Sequence, residues 1–179
     1  PSVTSSVVIS VIFVWLFSPI GVINQLFGLT INWLTDVRTA FYTIMLVNIF
    51  TTSGTLMLIF LAGLQNIPRT LYEAAAIDGA NRLETFLYVT LPLLRPVLFF
   101  VVTMGVIGSF QVFDQIYVMT AGGPLDSTTT VTYLIYKWAF RDTSIKMGQA
   151  SAAAVILTLI ILTVTLIQRR VIEGSGARA

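Results

Sequence analysis

Few side chains in this 179-residue chain are equipped for covalent chemistry. Cysteine and histidine are both absent, which removes thiolate nucleophiles, disulfides, the commonest general base and the commonest metal ligands. No Gly-x-x-x-x-Gly-Lys-Ser/Thr segment is present to cradle phosphates, so the chain is expected not to hydrolyse ATP. What remains is recognition by amides, hydroxyls, aromatics, a few carboxylates and the backbone. Two clusters carry most of it. Asn48, Thr51, Thr52 and Thr55 recur at i, i+3, i+4 and i+7, on one face of a helix. Ser109-Phe-Gln-Val-Phe-Asp-Gln115 is the second, with Asp114 as its one charge.

The elements that must position these groups are set by composition. Hydrophobic residues make up 56% and charged residues only 10%, against about 25% charged in an ordinary soluble domain. So few charges cannot cover a water-exposed surface, so lipid is the solvent for much of the chain. No charge precedes Asp36, none lies between Arg38 and Arg69, and none between Lys146 and Arg169. A bilayer-spanning helix needs about 20 mostly apolar residues. Full spans are therefore expected at about 41–64, 97–120 and 147–167. A fourth, about 2–17, is short and begins at residue 1 without the marks of a signal peptide, and reads as the end of a helix begun earlier. The ten basic residues are dispersed, which does not suggest nucleic-acid binding.

Within such spans, polar groups mark either a translocation path or helix–helix hydrogen bonding. For Thr51 and Thr55 packing is the favoured reading. Asp114, the one charge inside a span, either binds a solute hydroxyl or bonds a neighbouring helix. Gly148, Ser151 and Ala152-Ala-Ala154 suggest tight packing against another subunit. Orientation follows from Lys and Arg. Arg69, Arg82, Arg95, Arg169, Arg170 and Arg178 oppose Arg38, Lys137, Arg141 and Lys146, which puts 65–96 and the C-terminus in the cytoplasm. The loops at about 18–40 and 121–146 then face outward. In the second, Ser127-Thr-Thr-Thr130 can cap a short helix carrying Tyr133, Tyr136, Trp138 and Phe140.

Segment 65–96 is the most particular. Pro68 suits the first turn of a helix, and Gly79 suits the left-handed position that ends it. Asn81 followed by Glu84 has the spacing of a capping box, so a second short helix is expected from near Arg82 through Phe86 and Val89. Pro92 and Pro96 then break or kink the chain as it returns to the membrane. The product is a helix–turn–helix at the inner surface with a smooth Ala74-Ala75-Ala76 patch.

Glu73-Ala74-Ala75, Asp78-Gly79-Ala80, Phe86 and Leu91-Pro92 stand at the spacing of the EAA loop of permease subunits of binding-protein-dependent ABC importers. With Leu61-Ala-Gly-Leu-Gln-Asn-Ile-Pro68 before it and Phe113-Asp114 and Thr120-Ala-Gly-Gly-Pro124 after it, the chain most resembles the carbohydrate-uptake, maltose permease-like branch, over about residues 10–170. The resemblance implies an all-α polytopic bundle of the type I ABC importer kind in a bacterial or archaeal inner membrane. It implies that Glu73, Ala74, Ala75 and Gly79 contact a separate ATPase subunit, which binds the ATP and Mg; this chain needs no cofactor of its own. Asp78 either caps the turn or joins that contact. A second homologous permease and an extracytoplasmic solute-binding protein are the other implied partners. Asn48 resembles a substrate-contacting Asn of the family, with Thr52 one turn along. The several Asn residues that maltose-like permeases carry on the 97–120 helix are missing here, so the cargo need not be maltose. Ser109, Phe110, Gln111, Phe113 and Asp114 offer the amide, carboxylate, hydroxyl and aromatic contacts a sugar uses. The expected cargo is a di- or oligosaccharide; the alternative is glycerol-3-phosphate or a polyol, against which stands the lack of Arg or Lys within the spans.

Overall fold

The computed structural model describes residues 3–142 and 145–174, with side chains to Arg170; Ser2 and Arg178, both used above, lie outside them. Helices α1 (Ser6–Leu16) and α2 (Val22–Phe27) lead into the long α3 (Ala40–Gln65). A hairpin of α4 (Arg69–Ile77) and α5 (Arg82–Thr85) continues through a π-helical turn, Phe86–Thr90, and a short α6 (Leu91–Leu93). Helices α7 (Arg95–Phe110) and α8 (Asp114–Met119) follow, then α9 (Val131–Tyr136), a second π-helical turn at Lys137–Arg141, and α10 (Met147–Gly174). No strand occurs among the described residues.

Three stretches are long and apolar enough to cross a bilayer: Ala40–Gln65, Arg95–Met119 and Met147–Arg170. Helix α1, with 11 residues, reaches only about 16 Å at 1.5 Å per residue. Most apolar side chains on the long helices point outward, Leu58, Phe100 and Leu159 among them. Water would penalise that arrangement; hydrocarbon does not.

The stretch expected as one span at 97–120 is two helices. The α-helix stops at Phe110, and Gln111, Val112 and Phe113 leave helical register before α8 begins. Backbone carbonyls freed in an apolar medium must find donors. Thr132 Oγ1 donates to the Phe110 carbonyl at 3.1 Å and Thr130 Oγ1 to the Val112 carbonyl at 2.9 Å. Thr130 also caps α9, accepting from the Tyr133 N–H at 3.4 Å, as the Ser-Thr-Thr-Thr run suggests.

The core lies where α1, α3, α8 and α9 meet. Phe17, Ile44, Val47, Ile116, Met119 and Tyr133 are buried together, with Phe13, Trp33, Val112 and Phe113 against them. The α1–α3 and α8–α9 connections are both tied into it. Buried Asn24 donates to the Pro19 and Ile31 carbonyls at 3.1 and 2.8 Å, and accepts from Trp33 Nε1 at 2.7 Å. Tyr133, 1% exposed, donates its hydroxyl to the Ala121 carbonyl at 2.9 Å and accepts from Arg141. At the other end of the bundle Gly63 lets α3 and α7 touch: a Cβ there would sit 2.7 Å from a methyl of Val97.

Candidate functional site

Pro68, extended at φ −61° and ψ 134°, precedes the first turn of α4, where a missing N–H costs nothing. The helix closes with the backbone pair Ala80 N–H to Ala75 carbonyl (2.9 Å) and Gly79 N–H to Ala76 carbonyl (3.2 Å), with Gly79 left-handed at φ +77°. This is the Schellman arrangement. Asp78 is the C-cap residue of α4, and its carboxylate makes no hydrogen bond among the described residues. Asn81 and Glu84 form the capping box: Asn81 Oδ1 accepts from the Glu84 N–H at 3.0 Å, and Glu84 Oε2 from the Asn81 N–H at 2.8 Å. The second helix is shorter than its expected run through Val89. It ends at Thr85 and gives way to the π-helical turn, where backbone bonding widens by one residue.

Glu73, Ala74, Asp78 and Gly79 are exposed and Ala75 half-buried. They form a small-residue surface with two carboxylates, Glu73 and Asp78, beside exposed Leu71, Ile77 and Leu83. No Cβ at Gly79 would meet another atom; only its backbone angle demands glycine. The other face of α4 carries Tyr72, whose hydroxyl shares a hydrogen bond with Thr90 at 3.2 Å.

The polar groups of the spans divide between two grooves. Asn48 and Ser109 come together from α3 and α7 on the wall of one, about 330 Å³, whose other walls are apolar except for Thr130. The second, about 340 Å³, is lined by Thr51, Thr52 and Thr55 with Gln115 and Ser6. Gln115, 5% exposed, donates to Thr51 at 3.3 Å and so joins α8 to α3. The interhelical reading of Thr51 therefore describes its place here. Neither groove wall includes a cationic side chain.

The remaining polar and aromatic residues of 109–115 do not line these grooves. Phe113 sits in an aromatic cluster, stacked on Tyr117 at 5.4 Å and edge-on to Tyr136 at 5.2 Å. Phe110 contributes its carbonyl to Thr132, and the Gln111 side chain is exposed. Asp114 opens α8 and accepts a hydrogen bond from Ser6 of α1. A bond to a neighbouring helix is one of the two readings of Asp114, and this contact is of that kind. Ser6 carries no mark as a wall residue in the sequence, and Gln115 stands there only as the end of the 109–115 stretch. The register of Gln115 after a break inside an apolar run carries no mark in the sequence.

A bundle of broken and continuous apolar helices, with a charged hairpin between its spans and polar grooves within it, defines an integral membrane protein of the transport type. The chain belongs to the family described as binding-protein-dependent transport system inner membrane components, which matches residues 1–174. Among its relatives, the trehalose/maltose transport system permease protein of Thermococcus litoralis is 37% identical, covering 89% of this chain and 51% of the relative. The lactose transport system permease protein of Rhizobium radiobacter is 38% identical, with 93% and 57% covered. The sn-glycerol-3-phosphate transport system permease protein of Pectobacterium atrosepticum is 36% identical, with 97% and 60% covered. The chain thus spans between half and three-fifths of these relatives' length. Its fold is that of a chain in a bacterial ABC transporter involved in the import of the acidic polysaccharide alginate, at TM-score 0.83 and 23% identity, covering 97% of this chain and 62% of that one.

Proposed function

We propose that this chain is part of the membrane-spanning permease subunit of an ABC importer that carries a sugar, of di- or oligosaccharide size, across the inner membrane of a bacterium or archaeon. The α4–α5 hairpin carries the reading: it is a rigidly closed turn that offers a carboxylate and small side chains to a partner, and it lies between two spans. It faces the cytoplasm with the C-terminus. Glu73 pairs with a basic group of a separate ATPase subunit, Ala74 and Ala75 permit close approach, and Gly79 sets the angle between the two helices, with Asp78 at its edge. ATP and Mg are bound by that partner, so this chain is a transport subunit and not an enzyme.

Transport proceeds by alternating access. A solute-binding protein delivers the sugar at the outer loops, a second homologous permease completes the pathway, and closure of the ATPase pair moves the hairpin and with it the spans. Support for the binding-protein step comes from a bacterial alginate ABC transporter in complex with an alginate pentasaccharide-bound periplasmic protein, a chain of which shares this fold at TM-score 0.74. Asn48 and Ser109, with Thr52 in the adjoining groove, are the groups proposed to meet sugar hydroxyls. A phosphorylated cargo would call for a fixed cation, and the groove walls supply none.

The test is uptake. Cells expressing the full-length subunit with its ATPase, second permease and binding protein are given labelled trehalose, maltose, lactose and glycerol-3-phosphate. ATP-dependent accumulation of a sugar is expected. Accumulation of glycerol-3-phosphate alone selects the other cargo. No uptake from any of them, together with no ATPase retained on the purified chain, overturns the reading.

A further inference from the structure

The geometry points to Tyr72 and Thr90 as a latch that makes the α4 hairpin and the start of α7 move as one body; Tyr72 is thereby a positioning residue for coupling. This rests on the importer reading above. No residue of α4 is fully buried, and the element it packs against is the π-helical turn Phe86–Thr90. A helix so lightly held would slide or rock under a push from a partner. The hydroxyl pair is the one side-chain hydrogen bond between α4 and the rest of the described chain.

Its chemistry is directional. Thr90, 7% exposed, lies 3.5 Å from the Thr85 carbonyl, to which its hydroxyl donates. Its lone pairs are then free to accept from Tyr72 at 3.2 Å. The π-helical turn ends at Thr90, one turn before buried Leu94. Leu94 and Val97 are the side chains that pack on Gly63 of α3. Displacement of α4 therefore passes from Tyr72 through Thr90 to the contact between α3 and α7. A partner pressing on the exposed face beside Glu73 moves both spans through one hydrogen bond.

These 179 residues hold no cysteine, so once every cysteine elsewhere in the complex is replaced by serine, nitroxide labels at Ile77→Cys on α4 and Phe100→Cys on α7 report this pair alone. In the full complex in lipid, the distance between them is measured by pulsed electron resonance before and after trapping with MgATP and vanadate. The expected result is one narrow distance that nucleotide leaves unchanged in the parent and in Thr90→Ser. In Tyr72→Phe and Thr90→Val the distance broadens or shifts on trapping, and the double variant is no worse than either single one. ATP hydrolysed per sugar imported rises about fivefold in the same variants, the lower end of typical coupling between sites. An unchanged distance in Tyr72→Phe, or a nucleotide-driven change in the parent, overturns the latch. These distances are read without any cargo, so a failed latch is distinct from a failed importer assignment, which the uptake assay and ATPase retention decide.

Discussion

Thr130 reaches across from the start of α9 to donate its hydroxyl to the carbonyl of Val112 at 2.9 Å, in the middle of the break between α7 and α8. With the Thr132 bond to Phe110, it supplies the donors that the interrupted backbone lacks. The break turns α8 toward α1 and α3 and sets Gln115 against Thr51. Thr130→Val leaves the Val112 carbonyl unpaired and removes the cap of α9. The expected cost is about 2 kcal/mol, measured by thermal unfolding in detergent, with Thr130→Ser close to the parent. Parent-like stability of Thr130→Val would show that the break needs no such donor.

The close approach at Gly63 gives a second prediction. A leucine there drives its Cβ into Val97, 2.7 Å away, and into Leu94 at 3.2 Å. Overpacking of this kind costs about 1–3 kcal/mol. Val97→Ala should restore part of the loss by vacating the space. Without that rescue, the contact does not limit the spacing of α3 and α7.

At the hairpin, Gly79→Pro or Glu73→Lys should uncouple transport from ATP hydrolysis while the protein stays in the membrane. Proline cannot adopt the φ of +77° seen at Gly79, and lysine reverses the one charge on the exposed face of α4 near its centre. Membrane fractionation and the substrate-stimulated ATPase rate of the assembled complex are the two readouts. Normal stimulation in either variant argues against an ATPase contact at this surface.

Asn48→Ala removes the amide that α3 presents beside Ser109. Loss of one hydrogen bond of about 1.4 kcal/mol lowers the transport efficiency for the sugar about tenfold. Assembly with the ATPase is expected to be unchanged. An unaltered concentration dependence of uptake would take Asn48 off the path.

The connection from α8 to α9 carries a pH dependence of known sign. Lys137, 3.2 Å away, donates a hydrogen bond to Asp126 and with its charge and Thr129 holds that carboxyl below the usual carboxylate range. A depressed folded-state value means the pair stabilises above the unfolded value, near pH 4, and is lost as pH falls through the folded value. Thermal stability should therefore be flat in this respect between pH 5 and 8 and weaken only in acid. Asp126→Asn removes that acid-dependent part, and high salt shrinks it, because the pair is solvent-exposed.

The sequence by itself determined the solvent, the helical class and the hairpin, because each rests on local or compositional physics. Scarcity of charge demands lipid, and Gly79, Asn81 and Glu84 satisfy backbone groups within a few residues of themselves. Only the tertiary structure decided which polar residues meet. Asn48 and Thr51 lie on one helical face, yet Asn48 joins Ser109 in one groove while Thr51 pairs with Gln115 at another. That division follows from the break at 111–113, which an apolar run conceals. The broken carbonyls are satisfied by hydroxyls roughly twenty residues further along the chain, and sequence periodicity carries no information about partners at that separation. Asp114 shows the same limit: its charge was visible, but its partner, Ser6, stands 108 residues away and was brought to it only by the packing of α1 on α8.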